Sequence, residues 1–487
     1  MILLVCLVLQ AALLCSNLNL LDLWTDELSL EIVIRPIPEV LRIAAADVHP
    51  PLYYLLQHYW LQLPLGMDRL AQMRLLSAIF VLLTTIVLDR TWLRQVSAST
   101  RNWCLILWTL SPCIVLYGRM GRSYSLQVLT VVLTLWWARQ MMEKLSARRI
   151  AWFCAGTLAT LYVHYVPGIA LAAAVGIALL RARQWKTAVV AGVVVATGYV
   201  PWLSPMLHSV QGWTRTGREY LLTGSRPMEL AVKAGYTAAS FVLGESVPDI
   251  VLVAGIILIP VAIWLAWSGA ARARQPILVL AVTAAISFLG VARWVSYPFT
   301  PARLLFLYPF LVILVAAGIE VRLRVGQVAG AVLVLVSLTG LWNYFHKANY
   351  LNKGYAMPFG EIAAVIRSGP PAESTLVLVD TRNTDFPALG WYLGRSYGLE
   401  LIGTAGDPER ISQRAADPRL QTIWMFRNLH DISADSGNTA IENHLASTWH
   451  ASRRYYQPFS PLQRAIARAV GVADPPLYLC ELVEFRR

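Results

Sequence analysis

Eleven apolar runs, most of them sixteen to twenty residues long, punctuate this chain near residues 2–20, 73–88, 103–118, 123–142, 150–165, 168–180, 187–206, 249–268, 276–292, 302–319 and 325–343. That repeat length is what a helix needs to cross the hydrocarbon layer, so the pattern specifies a polytopic membrane protein and excludes a large soluble core. Composition agrees. Only 14% of the 487 residues are charged and 57% are hydrophobic, where a soluble protein carries about 25% charged residues. The stretch from Met1 to Leu20 has no Lys or Arg ahead of it and no small-residue cleavage site before Asp22, so it reads as a retained first span.

The net charge of +13 does not point to nucleic acid, because much of it sits in short clusters between apolar runs. These clusters are Arg90/Arg94/Arg101, Lys144/Arg148/Arg149, Arg181/Arg183/Lys186, Arg272/Arg274 and Arg322/Arg324. With the N-terminus inside, all five fall on the cytoplasmic side, as the positive-inside rule requires. That parity holds only if Ile150–Leu180 is two short spans broken at His164-Tyr165-Val166-Pro167. The opposite face then carries the Asp22–Arg74 loop, Tyr117–Tyr124, the His164 hinge, a long Pro205–Asp249 loop and Arg293–Arg303. Pro50–Leu65, aromatic but too short to span comfortably, reads as a helix lying in the outer interface. The six cysteines show no CxxC or metal-type spacing, so neither a disulfide framework nor a zinc finger is indicated.

Beyond Leu341 the character changes. Residues 344–487 alternate expected helices (Phe359–Arg367, Phe386–Leu393, Pro408–Ala415) with short expected strands (Thr375–Val379, Glu400–Ile402, Thr422–Phe426, Leu477–Phe485). The fold class is therefore an α-helical membrane body of about eleven spans, residues 1–343, followed by an extracytoplasmic α/β domain, residues 344–487. No GxGxxG loop opens a helix of that domain, so nucleotide binding there has no support.

Three groups of residues carry chemistry. Asp26 and Glu27 follow Leu23-Trp24-Thr25 where the chain leaves the bilayer. A helix cap or a solvated loop would account for them. So would a general base, partly desolvated by Trp24, that takes a proton from an acceptor hydroxyl attacking an anomeric carbon. His49, His164 and His208 map to the same face. A backbone-bonded helix end is one reading; the other is a pair, His49 and His164, that binds a phosphate or, with Asp26 or Glu27 as oxygen ligand, a divalent cation. Finally, Arg119-Met120-Gly121-Arg122-Ser123-Tyr124 and Arg293…Pro301-Ala302-Arg303 each open an apolar run. Arginine there either snorkels to bulk lipid or clamps one lipid phosphate in its fork.

The series Trp24-Thr25-Asp26-Glu27, His49-Pro50-Pro51-Leu52-Tyr53-Tyr54, Arg74-Leu75-Leu76-Ser77-Ala78, Arg122-Ser123-Tyr124-Ser125-Leu126 and Tyr162-Val163-His164-Tyr165 occurs in that order. It resembles the GT-C glycosyltransferases of the protein O-mannosyltransferase and aminoarabinose-transferase type, especially their bacterial family 39 relatives. Pro301-Ala302-Arg303-Leu304 resembles that family's later Pro-x-Arg-Tyr element, and Asn349-Tyr350 through Ile366 resembles the segment leading into its outer domain. The resemblance implies an inverting transfer of a sugar from a polyprenyl-phosphate donor to a glycan, lipid or protein acceptor at the outer face of a bacterial inner membrane. It implies Asp26 as base with Glu27 supporting it, Arg122, Arg303 and Arg293 near the donor phosphate, and His49, Tyr53, Tyr124 and His164 in the cleft. Many members carry a further acid beside the arginine of the second outer loop; here those places hold Met120, Gly121 and Ser123. A two-carboxylate mechanism, or a metal site built on that second acid, is accordingly in question.

A lipid or solute transporter with outer-face arginines on a phosphate ligand is the rival reading. It predicts matching halves with broken spans, and the chain shows none. Its catalytic-type charges also gather at one face rather than at mid-membrane.

Overall fold

The computed structural model describes residues 1–487 apart from 47–48, 217–225, 272–275, 295–298, 381–385, 403–406, 430–435 and 473. Every one of the eleven apolar runs falls on helix. Five helices are long and apolar enough to cross a membrane: Arg69–Gln95, Trp185–Ser209, Asp249–Ala270, Thr300–Val321 and Leu323–Phe345. Ile2–Cys15, Tyr165–Arg181 and Val279–Val291 are shorter apolar helices. The expected break at His164 is present: helix Ala147–Val163 ends there and helix Tyr165–Arg181 begins. The run at 103–118 is also broken, at Leu110-Ser111, where Ser111 caps the helix Pro112–Gly118.

One expectation needs correction. The Pro205–Asp249 stretch is not one long loop, since helix Trp185–Thr216 runs through Pro205 and a further helix spans Arg226–Leu243. Apolar and polar residues alternate there at helical period, and such an amphipathic helix offers no continuous apolar run to mark it. Pro50–Leu65 contributes the expected helix, Leu52–Trp60, whose one face buries Tyr53, Tyr54 and Gln57 while Leu56 and Tyr59 stay exposed.

Contacts divide the chain into two compact units, Met1–Leu18 with Ser29–Asn349, and Asn19–Leu28 with Tyr350–Arg487. In the first, helix Asp249–Ala270 packs closely along Tyr308–Val321. The closeness has a cause in sequence. A Cβ on Gly269 would come 2.1 Å from the Leu314 carbonyl oxygen, and one on Gly318 would come 2.0 Å from that of Leu265. Small residues at a crossing let two backbones approach where lipid offers no hydrophobic drive.

The second unit is a five-stranded sheet of β1 (Thr375–Asp380), β2 (Leu399–Ile402), β3 (Thr422–Asn428), β4 (His450–Pro458) and β5 (Tyr478–Arg486), in the order β2-β1-β3-β5-β4. β1 runs parallel to β2 and β3, whereas β5 is antiparallel to β3 and β4. Leu376, Leu378, Ile423, Met425, Val483 and Phe485 pack one face against Ile411, Ile441 and Leu445. Arg427 on β3 and Arg453 on β4 both pair with Glu442 and Glu481, which ties the exposed edge strand into the sheet. Asn19–Leu28 belongs here, although the sequence reading kept it with the membrane body. The Asp22 Oδ2 accepts the Gly360 N–H at 2.7 Å, the Leu23 N–H donates to the Tyr392 hydroxyl at 2.7 Å, and Trp24 meets Tyr355 edge-on at 5.1 Å.

The helix crossing yields a test. Gly318→Leu should cost about 1–3 kcal/mol through overpacking, read as a lowered thermal midpoint in detergent. Gly192→Ala, where nothing lies within 4 Å of the added methyl, should leave the midpoint in place. Equal behaviour of the two variants would show that the Gly269–Gly318 crossing does not set helix spacing.

Candidate active site

The first unit brings together most of the residues singled out from sequence. Arg122 is buried, 5% exposed, just before the helix Tyr124–Glu143. Its Nη2 lies 2.9 Å from His49 Nε2, which places the guanidinium against the imidazole. The loop that presents Arg122 is fixed by its carbonyls. Ser77 Oγ donates to the Arg122 oxygen at 3.3 Å and is itself 2.7 Å from the Tyr53 hydroxyl. Gln57 Nε2 donates to the Gly121 oxygen at 2.9 Å. At Gly121 a Cβ would lie 2.3 Å from Met73 Cε, so any larger residue seats this loop only if the Met73 side chain moves. An acidic side chain at position 121 would have to displace Met73.

Arg303, half-buried at the end of the short helix Thr300–Leu304, completes the group. Its Nη1 donates to the Tyr124 hydroxyl at 2.7 Å, and the guanidinium carbon stands 5.3 Å from that ring's centroid. Gln127 Nε2 holds the Arg303 carbonyl at 3.0 Å. His164 is buried between its two helices, and its Nδ1 accepts the Val166 N–H at 3.3 Å, which leaves the ring proton on Nε2. Burial first, then the fields of Arg303, His49 and Arg122, hold the His164 pKa well below the usual histidine range. His164 is neutral at neutral pH and sits in the field of all three partners.

The other arginines differ. Arg119 points away from this group: it donates to the Leu13 and Asn17 oxygens at 2.7 and 2.5 Å, closing the end of the Ile2–Cys15 helix. Arg293 has a side chain outside the described residues. His208 lies exposed on the Trp185–Thr216 helix.

In the second unit, Asp26 and Glu27 stand in a 3-10 turn, Thr25–Leu28, and have different settings. Glu27 is fully buried and its Oε2 accepts the Trp24 N–H at 3.1 Å, while Asp26 is partly exposed. Glu27 therefore stiffens the turn, whereas Asp26 keeps its carboxylate partly exposed.

Among the described residues no three His, Cys, Asp or Glu side chains group as metal ligands. The His49 and His164 pair is flanked by guanidinium cations, which repel a divalent ion. This donor set fits an anion and does not fit a metal, so no step is assigned to one.

Sequence reasoning missed one member of the site's support. Glu245, 1% exposed in the turn after helix Arg226–Leu243, accepts hydrogen bonds from the hydroxyls of Tyr117, Tyr236 and Ser240. Tyr117 meets the Tyr124 ring edge-on at 5.7 Å, so Glu245 steadies, at one remove, the phenol that holds Arg303. The sequence signal was an acid, Glu245, between the Arg226–Leu243 segment and the apolar run that begins at Asp249.

No family model matches the chain, and a search of curated proteins finds no match. Solved structures do match. The chain is similar to ArnT from Cupriavidus metallidurans in the apo state, with 14% identity over 99% of this chain and 97% of that one, at a TM-score of 0.56. The same protein bound to undecaprenyl phosphate matches at 14% identity, the same coverage and a TM-score of 0.53. The archaeal oligosaccharyltransferase AglB from Archaeoglobus fulgidus, in complex with an inhibitory peptide and a dolichol-phosphate, matches at 10% identity over 99% of this chain and 88% of that chain, at a TM-score of 0.51. The likeness shows the fold: a helical membrane body with a C-terminal α/β part, the GT-C architecture.

Glu245 supplies a pH test. Burial pushes its carboxyl up to about 7 from 4.5, against the pull of its three hydroxyl donors. The folded protein then holds a proton that the unfolded chain has released, so stability falls as pH rises from 4.5 to about 7. Glu245→Gln should flatten that slope in thermal unfolding across the same window. An unchanged slope would remove Glu245 as its source.

Proposed function

We propose that this protein is a membrane glycosyltransferase that moves a sugar from a polyprenyl-phosphate donor to a hydroxyl acceptor on a glycan, lipid or protein, with inversion. The observation that carries the reading is the pair of guanidiniums, Arg122 and Arg303, set with His49, Tyr124 and neutral His164 at one end of an apolar helical body. Cations in a low-dielectric setting stabilise charge as it develops on a leaving phosphate. The relatives support the choice of ligand, since ArnT was solved with undecaprenyl phosphate and AglB with a dolichol-phosphate. The family 39 branch, and mannose as the sugar, would be refinements of this reading.

The mechanism is a single displacement. Asp26 takes the proton of the acceptor hydroxyl as that oxygen attacks the anomeric carbon. The bond from that carbon to the phosphate oxygen breaks on the opposite side, and both electrons leave with the polyprenyl phosphate. Arg122 and Arg303 meet the charge that departs, so no general acid is needed. Glu27 holds the Asp26 turn, and His49 and Tyr124 orient the two arginines. The buried neutral His164 supplies a ring N–H without adding a third cation.

We further place the N-terminus in the cytoplasm and the α/β unit outside, in a bacterial inner membrane. Basic residues at Arg90, Lys144, Arg181 and Arg322, each at or just past a helix end, support this orientation. Cysteine labelling should reach positions near Arg94, Arg149 and Arg183 only from the cytoplasm, and 350–487 only from outside. A tail labelled from the cytoplasm would contradict the topology.

Asp26→Asn tests the chemistry. Purified protein given radiolabelled polyprenyl-phosphate sugars and membrane extract should transfer label to an acceptor, and the variant should transfer none while folding normally, because an amide cannot take the proton. Full activity in a well-folded variant would exclude Asp26 as base. A protein that moves labelled lipid across proteoliposomes without cleaving sugar from phosphate would be a transporter instead.

A further inference from the structure

The helix Pro461–Ala469 buries none of its residues, unlike its neighbours in the α/β unit: Phe359–Arg367 buries Phe359, Ile362, Ala363 and Ile366, and Asp407–Ala415 buries Ile411 and Ala415. Its sequence nonetheless has two faces. Leu462 and Ile466 lie four apart on one, continued by Val470, while Arg464 and Arg468 lie four apart on another. Ile466 is 43% exposed, and neither arginine forms an ion pair among the described residues.

A nine-residue helix that fully buries no residue, with Leu462, Gln463, Arg464 and Ala467 half-buried and only the Arg464 Nε enclosed, is not held by its own propensity. Here it is held at one end. Ser460 and Gln463 form a reciprocal capping box, and the Gln463 side chain also donates to the Tyr350 carbonyl at 3.1 Å. The preceding Gln457 donates to the Ala356 carbonyl at 2.6 Å, and the Lys353 ammonium stands 6.0 Å from the Phe459 ring centroid. The helix is thus bonded to the segment that follows the last apolar helix, Leu323–Phe345. Tyr350 is the fifth residue beyond Phe345, and five residues of chain reach at most ~18 Å. Two more exposed apolar side chains lie near the helix start. Leu477, 57% exposed, accepts the Phe459 N–H at its carbonyl, and Tyr455, 47% exposed, stacks on Tyr478.

Segregated faces, a modest share of apolar residues, arginines and a tether close to a membrane span are the features of a helix that lies in a lipid interface. We propose that Pro461–Ala469 is a surface anchor that seats Leu462 and Ile466 among the headgroups of an anionic leaflet, with Arg464 and Arg468 reaching lipid phosphates. Arginine stems are long enough to run along the apolar surface and leave the guanidinium at headgroup level. The anchor does not depend on the transferase reading.

The test uses the full chain in nanodiscs. None of the six native cysteines is exposed, so Ile466→Cys or Leu462→Cys can be labelled selectively with an environment-sensitive nitrobenzoxadiazole dye. In nanodiscs of phosphatidylcholine and phosphatidylglycerol, both labels should emit to the blue and be quenched by spin-labelled lipid. A label at Gln413→Cys, on the exposed side of helix Asp407–Ala415, should do neither. Arg464→Glu and Arg468→Glu should each lower the ratio of seated to free helix about fivefold. Aqueous emission without quenching at both positions would overturn the proposal. So would quenching that ignores phosphatidylglycerol and both charge reversals, and so would shielding that appears only on crosslinking of two copies.

Discussion

A guanidinium set into a low-dielectric site is the constraint on which the rest of this structure turns. Transfer of a charge out of water costs several kcal/mol unless geometry and hydrogen bonds offset it. Arg122 is buried, and Arg303 is half-buried with a neutral phenol as its hydrogen-bond partner and no ion pair among the described residues. Neither His49, Tyr124 nor neutral His164 brings negative charge. The guanidinium fork matches the geometry of an anion with tetrahedral oxygens.

Holding two cations near one another requires a rigid frame, and the frame is built from polar side chains at the helix ends. Gln57, Ser77 and Gln127 bind backbone carbonyls of the arginine-bearing segments, so the frame is fixed through the backbone rather than through the guanidiniums. Gly121 lets the Arg122 loop close against Met73. Glu245 gathers three hydroxyls and, through Tyr117, steadies Tyr124. In the other unit the Asp26 turn is stiffened in the same manner, by a buried carboxylate accepting a backbone N–H.

Much of this was legible in sequence because hydrophobic length and charge parity are strong signals in lipid. The break at His164 followed from the need to keep Arg181/Arg183/Lys186 on the same side as the other basic clusters, and the helices part there. Helices Phe359–Arg367 and Phe386–Leu393 stand where their periodicity placed them. What stayed hidden has a common cause. Arg226–Leu243 is amphipathic rather than continuously apolar, β4 is an exposed edge carrying Arg453 and Arg454, and Pro461–Ala469 is short and fully buries no residue, so none presents a long apolar run. The grouping of His49, Arg122, His164 and Arg303 was anticipated only through motif order. Their spacing of tens of residues has no local signature, and tertiary packing alone brings them together.

Binding of the lipid phosphate itself, without sugar or acceptor, tests the central claim most directly. Native mass spectrometry of delipidated protein should show a retained adduct with polyprenyl monophosphate and little with the uncharged polyprenol. One charge-assisted contact contributes ~1.5–3 kcal/mol, so Arg122→Ala and Arg303→Ala should each weaken the phosphate adduct about ten- to a hundredfold. Lys at either position should restore part of the loss, since it keeps the charge and lacks the fork. Equal retention of phosphate and alcohol, or an adduct unchanged in both alanine variants, would mean that these arginines do not bind the donor and that the account is wrong.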